Sequence, residues 1–320
     1  MRAVHVTEAG TASALTPTEL PEPVAAPGQA VVRNAAIGLN FIDVYYRNGT
    51  YPAPYPLVPG QEAAGIVTAV GEGVDEVRPG DRVAYATQLG AYAEFTAVPV
   101  GKLVPVPETV PLDDAAAVLL QGLAAHYLSH TTHPVAPGET VVVLAAAGGL
   151  GQLLVQLAAD RGATVVAVAS TEEKRKTALA AGAHHALPYE GFADAVRELT
   201  GGEGAHAVYD SVGAATFATS VRALRRRGTL AVCGLSSGPV PPVDVELLRT
   251  AGSLYLTRPT LADHVPDTAS LRSAAAQLFR HVARGVVRPD VRARLPLAEA
   301  ARAHELLEGR GTTGKVLLTP

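Results

Sequence analysis

Thr140-Val141-Val142-Val143-Leu144-Ala145-Ala146-Ala147-Gly148-Gly149-Leu150-Gly151 decides how this chain is read. The first five residues form an apolar, β-branched run of the kind that becomes a buried strand. Ala146, Gly148 and Gly151 then occupy the three positions of a G-x-G-x-x-G turn. The second glycine lets the backbone approach a pyrophosphate, and the third lets the following helix pack closely on the strand. A pyrophosphate placed there meets the free N–H groups of the helix start. Such a turn alone is also an ordinary strand-to-helix connection, so the context matters. A helix expected over 151–161, with apolar residues at 153, 154, 157 and 158, and a second strand over 163–168 supply it.

The same rhythm continues outward. The pattern predicts helix 172–181, strand 184–187, helix 191–199, strand 205–209, helix 215–226, strand 228–233 and strand 253–257. Strands alternating with helices imply a parallel sheet with right-handed crossovers. Upstream, helical stretches are expected over 111–120, with Pro111 in the first turn and Asp113 and Asp114 at the positive end of the dipole, and over 121–131. Before them, short strand candidates at 30–33, 64–70 and 82–85 are separated by Pro/Gly clusters, the signature of a β-rich barrel or sandwich. Helical segments at 267–284 and 297–309 precede a last strand candidate, Gly314-Lys315-Val316-Leu317-Leu318, which suggests a return to the first domain. The expectation is a β-rich domain over 1–121, a Rossmann-type, doubly wound α/β domain over 122–260, and a return over 261–320.

Composition narrows the function classes. The 320 residues carry a net charge of −4, so there is no global attraction for a phosphate backbone or anionic lipid. No apolar run approaches the roughly 20 residues of a membrane helix, and no signal core opens the chain. A cytoplasmic protein with neither nucleic acid nor membrane as partner is expected. The single cysteine, Cys233, excludes an intramolecular disulfide and any multi-cysteine zinc site.

The end of the second strand addresses the cofactor. An acidic residue there would bind a ribose 2′-hydroxyl. The chain instead reads Val168-Ala169-Ser170-Thr171, with Lys174 and Arg175 following, which suits a 2′-phosphate. The competing reading puts both cations on the solvated face of the next helix, with Glu172 and Glu173 among them.

Together these residues resemble the zinc-independent NADPH:quinone oxidoreductases of the medium-chain dehydrogenase/reductase superfamily. The matching motifs are Gly38-Leu39-Asn40-Phe41-Ile42-Asp43-Val44-Tyr45, Gly60-Gln61-Glu62-Ala63-Ala64-Gly65, Pro79-Gly80-Asp81-Arg82-Val83 and the Ala145–Gly151 turn. Val208-Tyr209-Asp210-Ser211-Val212-Gly213 and Ser253-Leu254-Tyr255-Leu256-Thr257-Arg258-Pro259 follow in order. The resemblance implies a GroES-like catalytic domain joined to the Rossmann domain, and NADPH as cofactor. It also places Asn40 and Gln61 where zinc-dependent relatives carry a cysteine and a histidine, so no metal site is expected. Without a Lewis acid, substrates that accept hydride easily, quinones or conjugated enones, need less help from the protein.

The resemblance further implies site residues. Asn40, Asp43, Tyr45 and Tyr51 would face the nicotinamide and substrate as catalytic candidates. Phe41, Asn40 and Tyr127 would contact the cofactor, with Ala147, Gly148, Gly149, Leu150 and Gly151 at its pyrophosphate. Ser170, Thr171, Lys174 and Tyr189 would surround the adenosine 2′-phosphate. Ser211, Gly234, Leu235, Ser236, Ser237, Leu256, Thr257 and Arg258 would line the nicotinamide side. Ala124 stands where the family often has threonine. The tyrosines at 45, 46, 51 and 55 read either as an aromatic wall for a flat quinone or as packing beside the prolines of 52–59; Tyr45 and Tyr51 are taken for the wall, the others for packing. Asp81 and Arg82 are expected to pair across a turn, Arg225-Arg226-Arg227 to cap a helix, and His126, His184 and His185 to be structural.

The function expected is NADPH-dependent quinone reduction by hydride or electron transfer. The alternatives are a reductase of conjugated enones or 2-alkenals, and a cofactor-bound structural or RNA-binding, crystallin-like protein. An apolar strand at 253–257 closing the sheet needs cover, which points to a homodimer joined through it.

Overall fold

The computed structural model describes residues 1–309 and 311–320. The chain divides into two compact units: residues 1–123, 265–285 and 289–320 form one, and 124–264 with 286–288 form the other.

The first unit opens with β1 (Arg2–His5) and β2 (Thr16–Glu19), an antiparallel pair. A long strand, β3 (Gln29–Gly38), leads into the short helix α1 (Phe41–Arg47). Then come β4 (Glu62–Val70), β5 (Arg82–Ala86), β6 (Phe95–Pro99) and β7 (Leu103–Pro105). The two stretches expected as separate helices are one, α2 (Leu112–Tyr127), extended by a π turn over Leu128–Thr132. The helix runs on through Gly122, which packs closely under Leu278: a Cβ there would lie 2.6 Å from Leu278 Cδ2.

The second unit begins at β8 (Thr140–Leu144) and α3 (Gly149–Asp160), which starts two residues earlier than expected. It continues through β9 (Thr164–Val168), α4 (Glu172–Ala180), β10 (His185–Leu187), α5 (Phe192–Leu199) and β11 (Ala205–Asp210). Next are α6 (Phe217–Ala223), β12 (Leu224–Val232), α7 (Val245–Thr250), β13 (Tyr255–Thr257) and α8 (Leu261–His264). All strand pairs are parallel and the order is β10-β9-β8-β11-β12-β13, the doubly wound arrangement expected. Its core is built by β-branched residues of the central strands, Val142, Val166, Val168, Val208 and Val232, with Phe192 and Val196 of α5 against them.

Two expectations fail here. The helix ends at Ala223, so Arg225-Arg226-Arg227 are not a helix cap. They lie in β12, where the register shifts against β11 and Arg227 takes a left-handed φ of 59°. Asp81 does not pair with Arg82. It accepts the Arg78 backbone N–H at 2.9 Å, while the Arg82 guanidinium donates to the Val110 carbonyl at 2.6 Å.

The chain returns to the first unit with α9 (Thr268–Ala283), β14 (Val291–Pro296), α10 (Ala300–Glu308) and β15 (Lys315–Thr319). β15 pairs antiparallel with β3 through Leu317 opposite Gly38 and Leu318 opposite Ile37. That register completes a seven-stranded sheet, β14-β15-β3-β4-β5-β7 with β6 also on β3. It also puts Lys315 near the β3–α1 junction.

Candidate active site

In the second unit the candidate residues gather at the carboxyl ends of parallel strands, flanking the point between β8 and β11 where the strand order reverses. Doubly wound sheets bind their ligands at such a place. Ala145 leaves β8 in the left-handed region, φ 49°, and Gly148 is the N-cap of α3. A Cβ on Gly151 would lie 2.4 Å from the Ala145 carbonyl oxygen, so this helix approaches the turn closely only because the position is glycine. Ala147, Gly148, Gly149 and Leu150 thus present the first turn of α3, whose unpaired N–H groups and positive dipole end suit a pyrophosphate.

Around the turn the neighbouring loops are tied together. The Ala145 N–H donates to the Tyr189 hydroxyl at 3.1 Å, which sets Tyr189 beside the turn itself. The Ser211 hydroxyl donates to the Leu144 carbonyl at 3.2 Å. Ser237 donates its backbone N–H and its hydroxyl to the Val212 carbonyl, both at 2.8 Å. Gly234 is required where it stands, since a Cβ would fall 2.5 Å from the Ser211 carbonyl oxygen. The organiser of this loop pair is Asp210, which was not singled out from sequence. Fully buried, it accepts N–H bonds from Val212 and Gly213 and hydroxyl bonds from Thr216 and Ser220, all at 2.8–2.9 Å. Leu256 and Thr257 end β13, with Arg258 next.

At the end of β9, Ser170 is exposed and Thr171 caps α4, its hydroxyl accepting the Lys174 N–H at 3.2 Å. Lys174 stands in the first turn of α4 and is half-buried. Arg175 donates to the Ala169 carbonyl at 3.3 Å. No acidic side chain stands between Val168 and Thr171. Tyr127 is buried and its ring lies flat on His264, centroids 4.3 Å apart. The Cys233 thiol is pushed up to about 12 by burial and by the Asp210 carboxylate, so it stays protonated.

In the first unit the candidates cluster on α1. Asn40 is its N-cap, in extended backbone, and its N–H donates to Asp43 Oδ2 at 2.9 Å. Phe41, Tyr45, Tyr46 and Tyr51 form one aromatic group: Tyr45 and Tyr51 centroids lie 5.2 Å apart, Tyr46 meets Tyr51 edge-on at 5.8 Å, and Phe41 lies 6.4 Å from Tyr45. Tyr55 donates to the Tyr46 carbonyl at 2.5 Å and serves the loop.

Asp43 occupies a different setting from the substrate-facing one expected. It is fully enclosed and faces inward, where Tyr92 donates to its Oδ2 at 3.2 Å. Burial raises its carboxyl from 3.8 to about 7, against the opposing pull of the Asn40 N–H and Lys315. The Tyr92 hydroxyl also meets His304 Nε2 at 2.9 Å, and His304 Nδ1 meets Arg47 at 3.1 Å. Arg47 makes a two-pronged pair with Glu308 at 2.7 and 2.9 Å. Burial and the Arg47 charge push His304 down to about 3, so its ring is neutral.

The residues do not suit zinc. The Asn40 amide is bonded to Glu62 and Lys315, Gln61 offers a second amide, and among the described residues no group of three or more His, Cys, Asp or Glu side chains could hold a metal ion.

A GroES-like sheet unit carrying α1 and a doubly wound dinucleotide unit define the class, a medium-chain dehydrogenase/reductase. The alcohol dehydrogenase GroES-like domain matches residues 26–108, and the zinc-binding dehydrogenase domain matches 149–284. Quinone oxidoreductase from Pseudomonas aeruginosa is 45% identical over 92% of each chain. 2-Haloacrylate reductase from Burkholderia is 43% identical over 92% of this chain and 91% of its own. Escherichia coli quinone oxidoreductase, solved in complex with NADPH, superposes with a TM-score of 0.97 at 39% identity, covering both chains in full. The chain belongs to the quinone oxidoreductase family.

Proposed function

We infer that this protein reduces quinones with NADPH. The observation that carries the reading is the Gly148–Gly151 turn and the Ser170–Lys174 stretch at the carboxyl ends of the neighbouring strands β8 and β9, in a chain as close to quinone oxidoreductases as 45% identity. NADPH, when bound, supplies the hydride. The first turn of α3 holds its pyrophosphate, and Ser170 and Lys174 hold the 2′-phosphate. Phe41, Tyr45 and Tyr51 form the wall against which a flat acceptor stacks, and their bulk keeps water from it. A phenol of Tyr45 or Tyr51 donates a hydrogen bond to the acceptor oxygen and so favours charge developing there. Asp43 orients α1 from below and does not touch substrate.

Stopped-flow oxidation of NADPH by a benzoquinone tests the reading. Rapid turnover with NADPH and slow turnover with NADH is expected; cofactor binding without reduction of any quinone or enone overturns it. The similarity to 2-haloacrylate reductase favours a second acceptor class, activated C=C bonds, and relative rates on naphthoquinone and an alkenal rank the two.

We also propose a homodimer joined through β13. This strand is the sheet's edge, Tyr255 is 57% exposed and Val245 of the preceding helix 77%. An apolar edge of this kind calls for cover. Among the described residues no helix is long and apolar enough to cross a membrane.

A further inference from the structure

The most enclosed ion pair among the described residues, Lys315–Glu62, lies at the β3–α1 junction, with side chains 2% and 0% exposed. Glu62 has both oxygens engaged. Its Oε2 accepts from Lys315 Nζ at 2.6 Å and from Asn40 Nδ2 at 2.8 Å. Its Oε1 accepts the Leu120 N–H at 2.6 Å, a donor well inside α2 rather than at its end. The carboxylate fits only because residue 38 is glycine: a Cβ there would lie 2.3 Å from Glu62 Oε2 and 2.4 Å from the Ala116 carbonyl oxygen.

Asn40 completes the arrangement. Its Nδ2 donates to Glu62 and, at 3.1 Å, to the Gly38 carbonyl, and its Oδ1 accepts from Lys315 Nζ at 2.9 Å. Both amide hydrogens and one lone pair are therefore committed. The sense of the amide is fixed as well. Exchanging its oxygen and nitrogen would turn an NH2 donor toward an ammonium and an oxygen toward a carboxylate. Without the ammonium at 315, Nδ2 keeps its two acceptors, but Oδ1 loses the donor that anchors its side of the amide.

Burying such a pair costs much of what its attraction returns, so stability alone is a weak account of it. We propose that Lys315, with Glu62 as its counter-ion, is a positioning residue that fixes the Asn40 amide and with it the start of α1, where Phe41 and Tyr45 stand. Lys315 acts through Asn40 and touches no substrate. The catalytic part of this inference rests on the quinone-reductase reading; the positioning part does not.

The test compares Lys315→Met, Asn40→Ala and their combination. The apo protein gives the first readout, the side-chain amide signal of Asn40 in a nitrogen-15 NMR spectrum, identified by its loss in Asn40→Ala. In Lys315→Met this signal is expected to move and to lose its protection from solvent exchange. Turnover gives the second: kcat/KM for benzoquinone falls about tenfold or more, with the Kd for NADPH within about twofold of wild type. The double variant is expected to be no slower than Asn40→Ala alone, because the two act in series. An unmoved Asn40 signal in Lys315→Met, or losses that multiply in the double variant, overturns the proposal. If Lys315→Met does not fold, Glu62→Gln/Lys315→Met, which leaves no unpaired charge, is read by the same criteria. A wild-type protein that binds NADPH yet reduces no quinone defeats the functional reading, and the amide signal alone then decides the role of Lys315.

Discussion

Lys174 and the Asp43–Tyr92–His304 chain make the sharpest claims at the scale of single residues. A charge-assisted bond to a 2′-phosphate contributes about 1.5–3 kcal/mol. Lys174→Ala should therefore raise the KM for NADPH about tenfold or more while leaving the KM for NADH unchanged, in steady-state assays with either cofactor. The inward chain makes a prediction about pH. Asp43 titrates near 7 when folded and 3.8 when unfolded, so between these values the native state holds a proton the unfolded state has lost. Its contribution is full at low pH and falls as pH rises through 7. His304 titrates near 3 when folded and 6.5 when unfolded, so the unfolded state holds the extra proton and stability rises with pH over that window. Between about pH 4 and pH 6.5 each group tilts stability by about 1.4 kcal/mol per pH unit, in opposite directions, and the two cancel. Urea melts at several pH values in this window should show a slope more positive than wild type for Asp43→Asn, and more negative for His304→Gln. Equal slopes in all three proteins would mean that neither group titrates as its surroundings dictate.

At the scale of elements, the glycines decide what each turn can carry. Gly151→Ala drives a Cβ against the Ala145 carbonyl at 2.4 Å, and backbone cannot step aside as a flexible side chain can. A loss of about 1–3 kcal/mol in thermal unfolding and a marked weakening of NADPH binding, read by fluorescence titration, are expected. Elements with a strong local signature were legible in the sequence: the β-branched run of β8, the glycine turn, and the alternation that makes the sheet parallel. The misread ones depended on partners distant in the chain. Arg225–Arg227 carry the charge of a helix end, yet Leu224 already pairs with Ala205 of β11, and that pairing pulls the triplet into a strand. The strand Val291–Pro296 went unseen because alternating arginines mask its pattern until β15 fixes its register. The same applies to the site. Asn40 was found by motif, but its partners Glu62 and Lys315 stand 22 and 275 residues away, and only the sheet brings them together. Asp43 illustrates the limit from the other side, since position in a motif says nothing of which face of a seven-residue helix a carboxylate takes.

For the molecule as a whole, the question left by the parallel sheet is how its edge is closed. β10, at one end, is short and begins with the exposed His185, and edges of that kind resist pairing by brevity and polarity. β13, at the other end, is equally short but carries the exposed Tyr255, and the helix before it, α7, carries the exposed Val245 and Leu247. Exposed apolar side chains on an edge strand and the helix leading into it are poor solvent-facing surface for a protein with only 18% charged residues. In the dimer proposed above, a second copy meeting this edge across a twofold axis would satisfy both the backbone groups and the side chains with one self-complementary contact. Sedimentation at micromolar protein should accordingly give about twice the chain's mass. In the proposed dimer Tyr255→Asp places a charge in the β13 contact, and it should shift the protein to monomer while leaving NADPH binding intact. A wild-type protein that sediments at the mass of one chain, or a Tyr255→Asp variant that remains a dimer, would mean that this edge is covered in some other way.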